Sequence, residues 1–82
     1  MTKDTYHLAR ITESSTGELG SQQISPEFHT EDALYNYVCA VLPAPSLRVD
    51  VEIVWQFGPA NAYGLREMET QELETWFNWR ME

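Results

Sequence analysis

The chain is short of the features that most often announce a function. It has a single cysteine, Cys39, so no internal disulfide can form and the fold must stand on packing. It has a single lysine, Lys3, and its arginines, Arg10, Arg48, Arg66 and Arg80, lie far apart. Duplex affinity comes mainly from Lys and Arg that displace condensed counterions, so no direct nucleic-acid binding is expected. An anionic membrane surface would repel the chain for the same reason. The longest apolar stretch in its middle, Val38 to Leu42, is far too short to span a bilayer. No apolar run follows a basic cluster at Met1-Thr2-Lys3-Asp4, which predicts a soluble cytoplasmic protein without a signal peptide. The four glycines, Gly17, Gly20, Gly58 and Gly64, form no phosphate-cradling loop.

What is present is acid and apolar surface. Thirteen acidic residues against five basic ones give 82 residues a net charge of −8. Hydrophobic residues are 43% of the chain, with three Trp, four Tyr and three Phe. That is enough for one small core and too little for two, so residues 1–82 read as one domain. It is also too aromatic for a disordered acidic tail. An acidic surface favours a basic partner, approached quickly through long-range attraction. Acidity that only confers solubility accounts for the charge equally well.

Residues 5–13 are rich in β-branched and aromatic types and predict a strand, with Leu8 and Ile11 on opposite faces. A small-residue turn, Ser14 to Ser21, leads to a weaker strand around Gln22 to Ser25, which Pro26 interrupts. Thr30 then has the character of a helix N-cap, with Glu31 and Asp32 in the first turn. Ala33, Leu34, Tyr37, Val38, Val41 and Leu42 recur on one helical face until Pro43 stops the helix. From Leu47 to Phe57 apolar and polar residues alternate, which predicts a half-buried strand. A turn at Gly58 to Asn61 would return the chain along 62–66. Thr70 would open a second helix with Leu73, Trp76, Phe77 and Met81 as its inner stripe. The expected fold is α+β: an antiparallel sheet of about four strands in ββαββα order, both helices on one face.

Chemistry-bearing constellations are sparse. Cys39 falls off the helical stripe and late in its helix, with neither His7 nor His29 beside it in sequence. Those three residues lack metal-ligand spacing, so no metal or cofactor is expected. Asp50 and Glu52 would share the outward face of the strongest strand, where Arg48 would partly neutralise them. A catalytic carboxyl instead needs an apolar pocket to raise its pKa. A non-enzymatic protein is expected.

One segment stands out. Glu67, Glu69, Glu72 and Glu74 fall within eight residues with no base among them. Helix-dipole stabilisation, about 0.3–1 kcal/mol per acid, explains only part of such a cluster. Trp79 lies about a third of a turn off the inner stripe, beside Arg80, and is a candidate interface anchor. These five residues, with Asp50 and Glu52 as a second patch, are the candidate partner-binding set.

Phe28-His29-Thr30-Glu31-Asp32-Ala33-Leu34-Tyr35-Asn36-Tyr37-Val38, ending at Leu42-Pro43, resembles the helix of small phage anti-CRISPR inhibitors. An aromatic, a capping Thr or Ser, acids, a leucine and an aromatic pair lead there to Leu-Pro, and Thr70 to Phe77 is similar. The resemblance implies a class: very small proteins of sheet-plus-two-helix build that act by occupying another protein's surface. It carries over no binding residue. The expectation is an inhibitor that docks acidic and aromatic surface onto a basic surface of a protein partner, in its sharper form a nucleic-acid mimic. The rival is a homodimer or accessory subunit using an open sheet face, where Val54 interrupts the polar residues, or a free edge.

Overall fold

The computed structural model describes residues 4–81; Met1 to Lys3, including the single lysine, and Glu82 lie outside the described residues. Strands β1 (Thr5–Glu13) and β2 (Leu19–Gln23) form the first hairpin, followed by helix α1 (Glu31–Val41). Strands β3 (Val51–Phe57) and β4 (Glu67–Glu72) form the second, followed by helix α2 (Leu73–Met81). All pairings are antiparallel and the strand order is β2-β1-β3-β4, so the two hairpins meet along β1 and β3. This is the expected α+β fold in the expected element order.

Helix α1 follows its local rules closely. Thr30 is extended and its hydroxyl accepts from the Ala33 amide at 3.2 Å, which satisfies one of the free donors of the first turn. The Leu42 amide donates to the Val38 carbonyl at 2.8 Å as the last helical bond before Pro43. Leu34, Val38 and Leu42 point inward, while Ala33 and Val41 lie exposed at the rim. From α2 come Leu73, Trp76 and Phe77, and from the sheet Leu8, Val51 and Ile53. Together they make one core between the sheet and the helix layer, and Leu8, Leu34, Val38 and Leu73 are fully buried. Met81, expected on the inner stripe, is exposed in the last turn of α2.

Several expected boundaries are corrected. The central strand begins at Val51, not Leu47. Pro45 opens a 3-10 turn over Pro45–Arg48, which leaves Leu47 and Val49 exposed and turns Arg48 inward. Asp50 then takes a left-handed backbone, φ 57°, just before the ladder starts. The second strand spans Leu19–Gln23 rather than 22–25. The return strand is not 62–66. That segment is loop, folded around Asn61, whose side chain accepts from the amides of Tyr63 at 2.8 Å and Leu65 at 3.1 Å. Arg66 pins the loop through Gly58 O at 2.7 Å and Gln56 O at 3.2 Å.

The helix expected from Thr70 begins at Leu73, because Glu67–Glu72 pairs with β3 instead. Finally, Val54 does not interrupt an exposed polar face. It is buried, beside His7 and Thr70 in the register, although no helix of the described residues packs on that side.

Candidate functional site

Strand β4 places the acidic cluster on a free sheet edge. Glu67 and Glu69 pair with Phe57 and Trp55 and share the side that bears the helices. Glu72 pairs with Glu52 on the opposite side. The cluster therefore does not surround a helix N-terminus: three of its acids belong to an edge strand, and Glu74 alone sits in the first turn of α2. Acidic residues on an edge also repel the edge of another sheet, so the strand resists pairing with a copy of itself.

Three of the chain's four arginines are engaged within the fold, and Arg10 is exposed on β1, which β3 separates from this edge. Arg48 is buried, with Nε donating to Glu74 Oε2 at 2.7 Å and Nη1 to the Leu42 carbonyl at 2.8 Å. Its guanidinium lies 4.2 Å from the centre of the Phe77 ring. It does not screen Asp50 and Glu52 from an outward strand face. Arg80 pairs with Asp32 across α1 and α2, its guanidinium 5.2 Å from the Tyr35 ring and 5.4 Å from that of Trp76. Arg66 is occupied in the β3–β4 loop. Among the described residues, Asp50, Glu52, Glu67 and Glu69 have no side-chain hydrogen bond or ion pair.

The tertiary fold brings four of the candidate residues together. A hollow of about 550 Å³ is lined by Asp50, Glu52, Glu72 and Glu74, with Arg48 as its one base and Ile11, Pro45, Val49 and Val51 as apolar wall. Asp50 and Glu52 meet there although Asp50 lies outside the strand. The bond from Arg48 holds the Glu74 carboxyl below the usual carboxylate range, against the opposing effect of burial. These carboxylates do not converge on a cation: no group of three or more His, Cys, Asp or Glu among the described residues is placed to hold a metal.

Glu67, Glu69 and Trp79 stand apart from the hollow. Trp79 is exposed on α2, as its position off the inner stripe implies. Cys39 is exposed on α1, one turn after Tyr35, whose phenol is raised chiefly by interaction with the Cys39 side chain. His7 belongs to the sheet face opposite the core, paired with Val54, so the sheet separates it from Cys39. Burial pushes the His7 imidazole below its ordinary value, with Glu27 acting in the other direction.

A second cavity, about 310 Å³, was not foreseen from the sequence. It opens between β3, β4 and α2 and is lined by Tyr6, Trp55, Trp76, Ile53, Glu31, Glu69, Thr70 and Gln71. Tyr6 and Trp55 are cross-strand partners, stacked with ring centres 5.4 Å apart. Trp76 donates its indole N–H to Glu31 at 3.1 Å, tying α2 to the first turn of α1. The indole nitrogen of Trp55 is buried without an acceptor, a state that costs about 1–3 kcal/mol. The alternation of β3 was the available signal for Trp55, but its stacking partner Tyr6 lies 49 residues upstream (55 − 6), and Trp76, which shares the cavity, 21 downstream (76 − 55).

Among the described residues no helix is long and apolar enough to cross a membrane. Compared with known protein families, curated proteins and solved structures, the chain matches none of them.

Proposed function

We propose that this is a small acidic binding protein that inhibits its partner by docking the β4 edge and the adjoining hollow onto a basic surface. The observation that carries the reading is the disposition of charge. Arg48, Arg66 and Arg80 are engaged within the fold, while Asp50, Glu52, Glu67 and Glu69 make no ion pair among the described residues. Support also comes from the hollow itself, where apolar wall beside carboxylates suits an interface that is dry at its centre and charged at its rim. Trp79, exposed beside Arg80, would add an aromatic anchor. A cytoplasmic anti-CRISPR or other phage anti-defence protein, with carboxylates taking the place of nucleic-acid phosphates, is the form of this function that the helix resemblance favours. In this reading the protein itself binds no nucleic acid, membrane or cofactor and catalyses no reaction.

The test is capture of a partner from host lysate, followed by association kinetics across a salt series. Reversing Glu67, Glu69, Glu52 and Asp50 to Lys, while leaving Glu74 to its structural role, should slow association about ten-fold at low salt and flatten the salt dependence. Association unchanged by that reversal would refute the electrostatic reading. One observation favours self-association as the second reading: β2, the other edge, carries no charged residue and exposes Leu19. A stable dimer in sedimentation, abolished by Ser21→Pro, whose backbone N–H faces the free edge, would support it.

A further inference from the structure

The fold uses one recognition unit twice. Arg48 lies over the Phe77 ring and bonds to Glu74; Arg80 lies near the Tyr35 and Trp76 rings and pairs with Asp32. In each case an aromatic face and a carboxylate together hold a guanidinium. The second cavity has the same two parts. Tyr6, Trp55 and Trp76 supply rings, Glu31 and Glu69 supply carboxylates, and among the described residues no lysine, arginine or histidine lines it, Arg80 approaching only the Trp76 ring from α2.

We propose that this cavity receives one guanidinium group, presented by an arginine side chain on the surface of a protein partner. Ring faces attract cations, more strongly where water is excluded, and a planar guanidinium both stacks on rings and forks toward carboxylates. Glu31 accepts the Trp76 indole N–H through Oε1, and among the described residues its Oε2 accepts no hydrogen bond. Glu69 stands on the free edge, cross-strand from Trp55, where a partner can approach. The negative field at the cavity acts on the Tyr6 phenol, which burial first, then Glu31 and Asp4, raise above its ordinary value. A volume of about 310 Å³ admits an arginine side chain with its head group. The source of the arginine rests on the docking reading; the chemistry of the cavity does not.

The test needs no partner. The full chain is titrated with N-acetyl-arginine methylamide and followed by the indole N–H resonances of Trp55 and Trp76. The citrulline analogue serves as an uncharged isostere and the lysine analogue as an ammonium. Saturable shifts are expected with the arginine compound, with the citrulline compound about ten-fold weaker and the lysine compound weaker than arginine. Glu69→Gln, an exposed change with no packing role, should weaken the arginine compound several-fold. Glu31→Gln, which retains an oxygen for Trp76, should do the same, while Glu18→Gln in the β1–β2 turn should not. Equal binding of arginine and citrulline, unchanged binding in both Gln variants, or the absence of saturable shifts would overturn the proposal. Equal or tighter binding of the lysine compound would overturn the assignment to guanidinium. Glu69 is shared with the charge-reversal test, but Glu31 is not among the reversed acids and these titrations need no partner, so the cavity and the docking reading fail separately.

Discussion

Removing Glu74 should damage this protein far more than removing any other acid of the cluster. Its partner Arg48 has a side chain only 4% exposed, while that of Glu74 is 32% exposed. Breaking a fully buried ion pair by deleting one partner costs about 3–5 kcal/mol, and an exposed pair is worth about 0–1 kcal/mol. Glu74→Ala leaves the guanidinium buried with the Leu42 carbonyl and the Phe77 face as its remaining contacts. The water that reaches Glu74 tempers the loss, so about 2–3 kcal/mol is expected. A chain of 82 residues has about 4–12 kcal/mol in total. The midpoint of thermal unfolding should therefore fall by about 10–20 °C.

Urea titration followed by tryptophan fluorescence at pH 7 measures the cost. The decisive comparison is a double-mutant cycle with Arg48→Met, which keeps an apolar stem and removes the charge. In that background Glu74→Ala should cost almost nothing, since no buried cation remains to be stranded. If Glu74→Ala costs as much in the Arg48→Met background as in the native chain, or under about 0.5 kcal/mol in the native chain, the buried-cation argument is wrong. The pair also sets a pH dependence. The folded carboxyl lies below its unfolded value, so its contribution is complete above about pH 4.3 and is lost as pH falls through the depressed folded value.

Two further outcomes follow from single residues. His7 is buried with Nδ1 unpartnered and its imidazole pushed down, so the folded state favours the neutral ring. Its contribution is full above about pH 6.5 and declines as pH falls below that, and His7→Gln should remove this part of the decline in urea titrations between pH 7 and 5. Asp50 has φ 57°, so Asp50→Val should cost about 1–2 kcal/mol while Asp50→Gly should be neutral or slightly stabilising. Equal costs for the two would show that the turn relaxes out of its left-handed conformation.

The sequence alone determined whatever depends on neighbours a few residues apart. Helix α1 has its cap, its inner stripe and its stop written between Thr30 and Pro43, and the structure keeps the cap, the stop and, of the stripe, Leu34, Tyr37, Val38 and Leu42. The same is true of β1, of the ββαββα order, and of the strand period over Val51 to Phe57. Charge is a sum, so the excess of acid was also legible, and so was the exposure of Trp79.

Tertiary structure decided what depends on partners far away in the chain. Glu67-Met68-Glu69-Thr70-Gln71-Glu72 contains mostly good helix formers, and its local signal is helical. It is a strand because β3 offers it a ladder, with six residues in register from Glu67 to Glu72. Strand pairing outweighs propensity differences of a fraction of a kcal/mol per residue. Arg48, polar in an alternating pattern, reads as outward until Glu74, 26 residues later, gives it a reason to turn inward. The acidic hollow and the aromatic cavity are likewise made where β1, β3, β4 and the helices cross. Their chemistry was visible as residue types, but their assembly was not, because no local rule reaches from Tyr6 to Trp76.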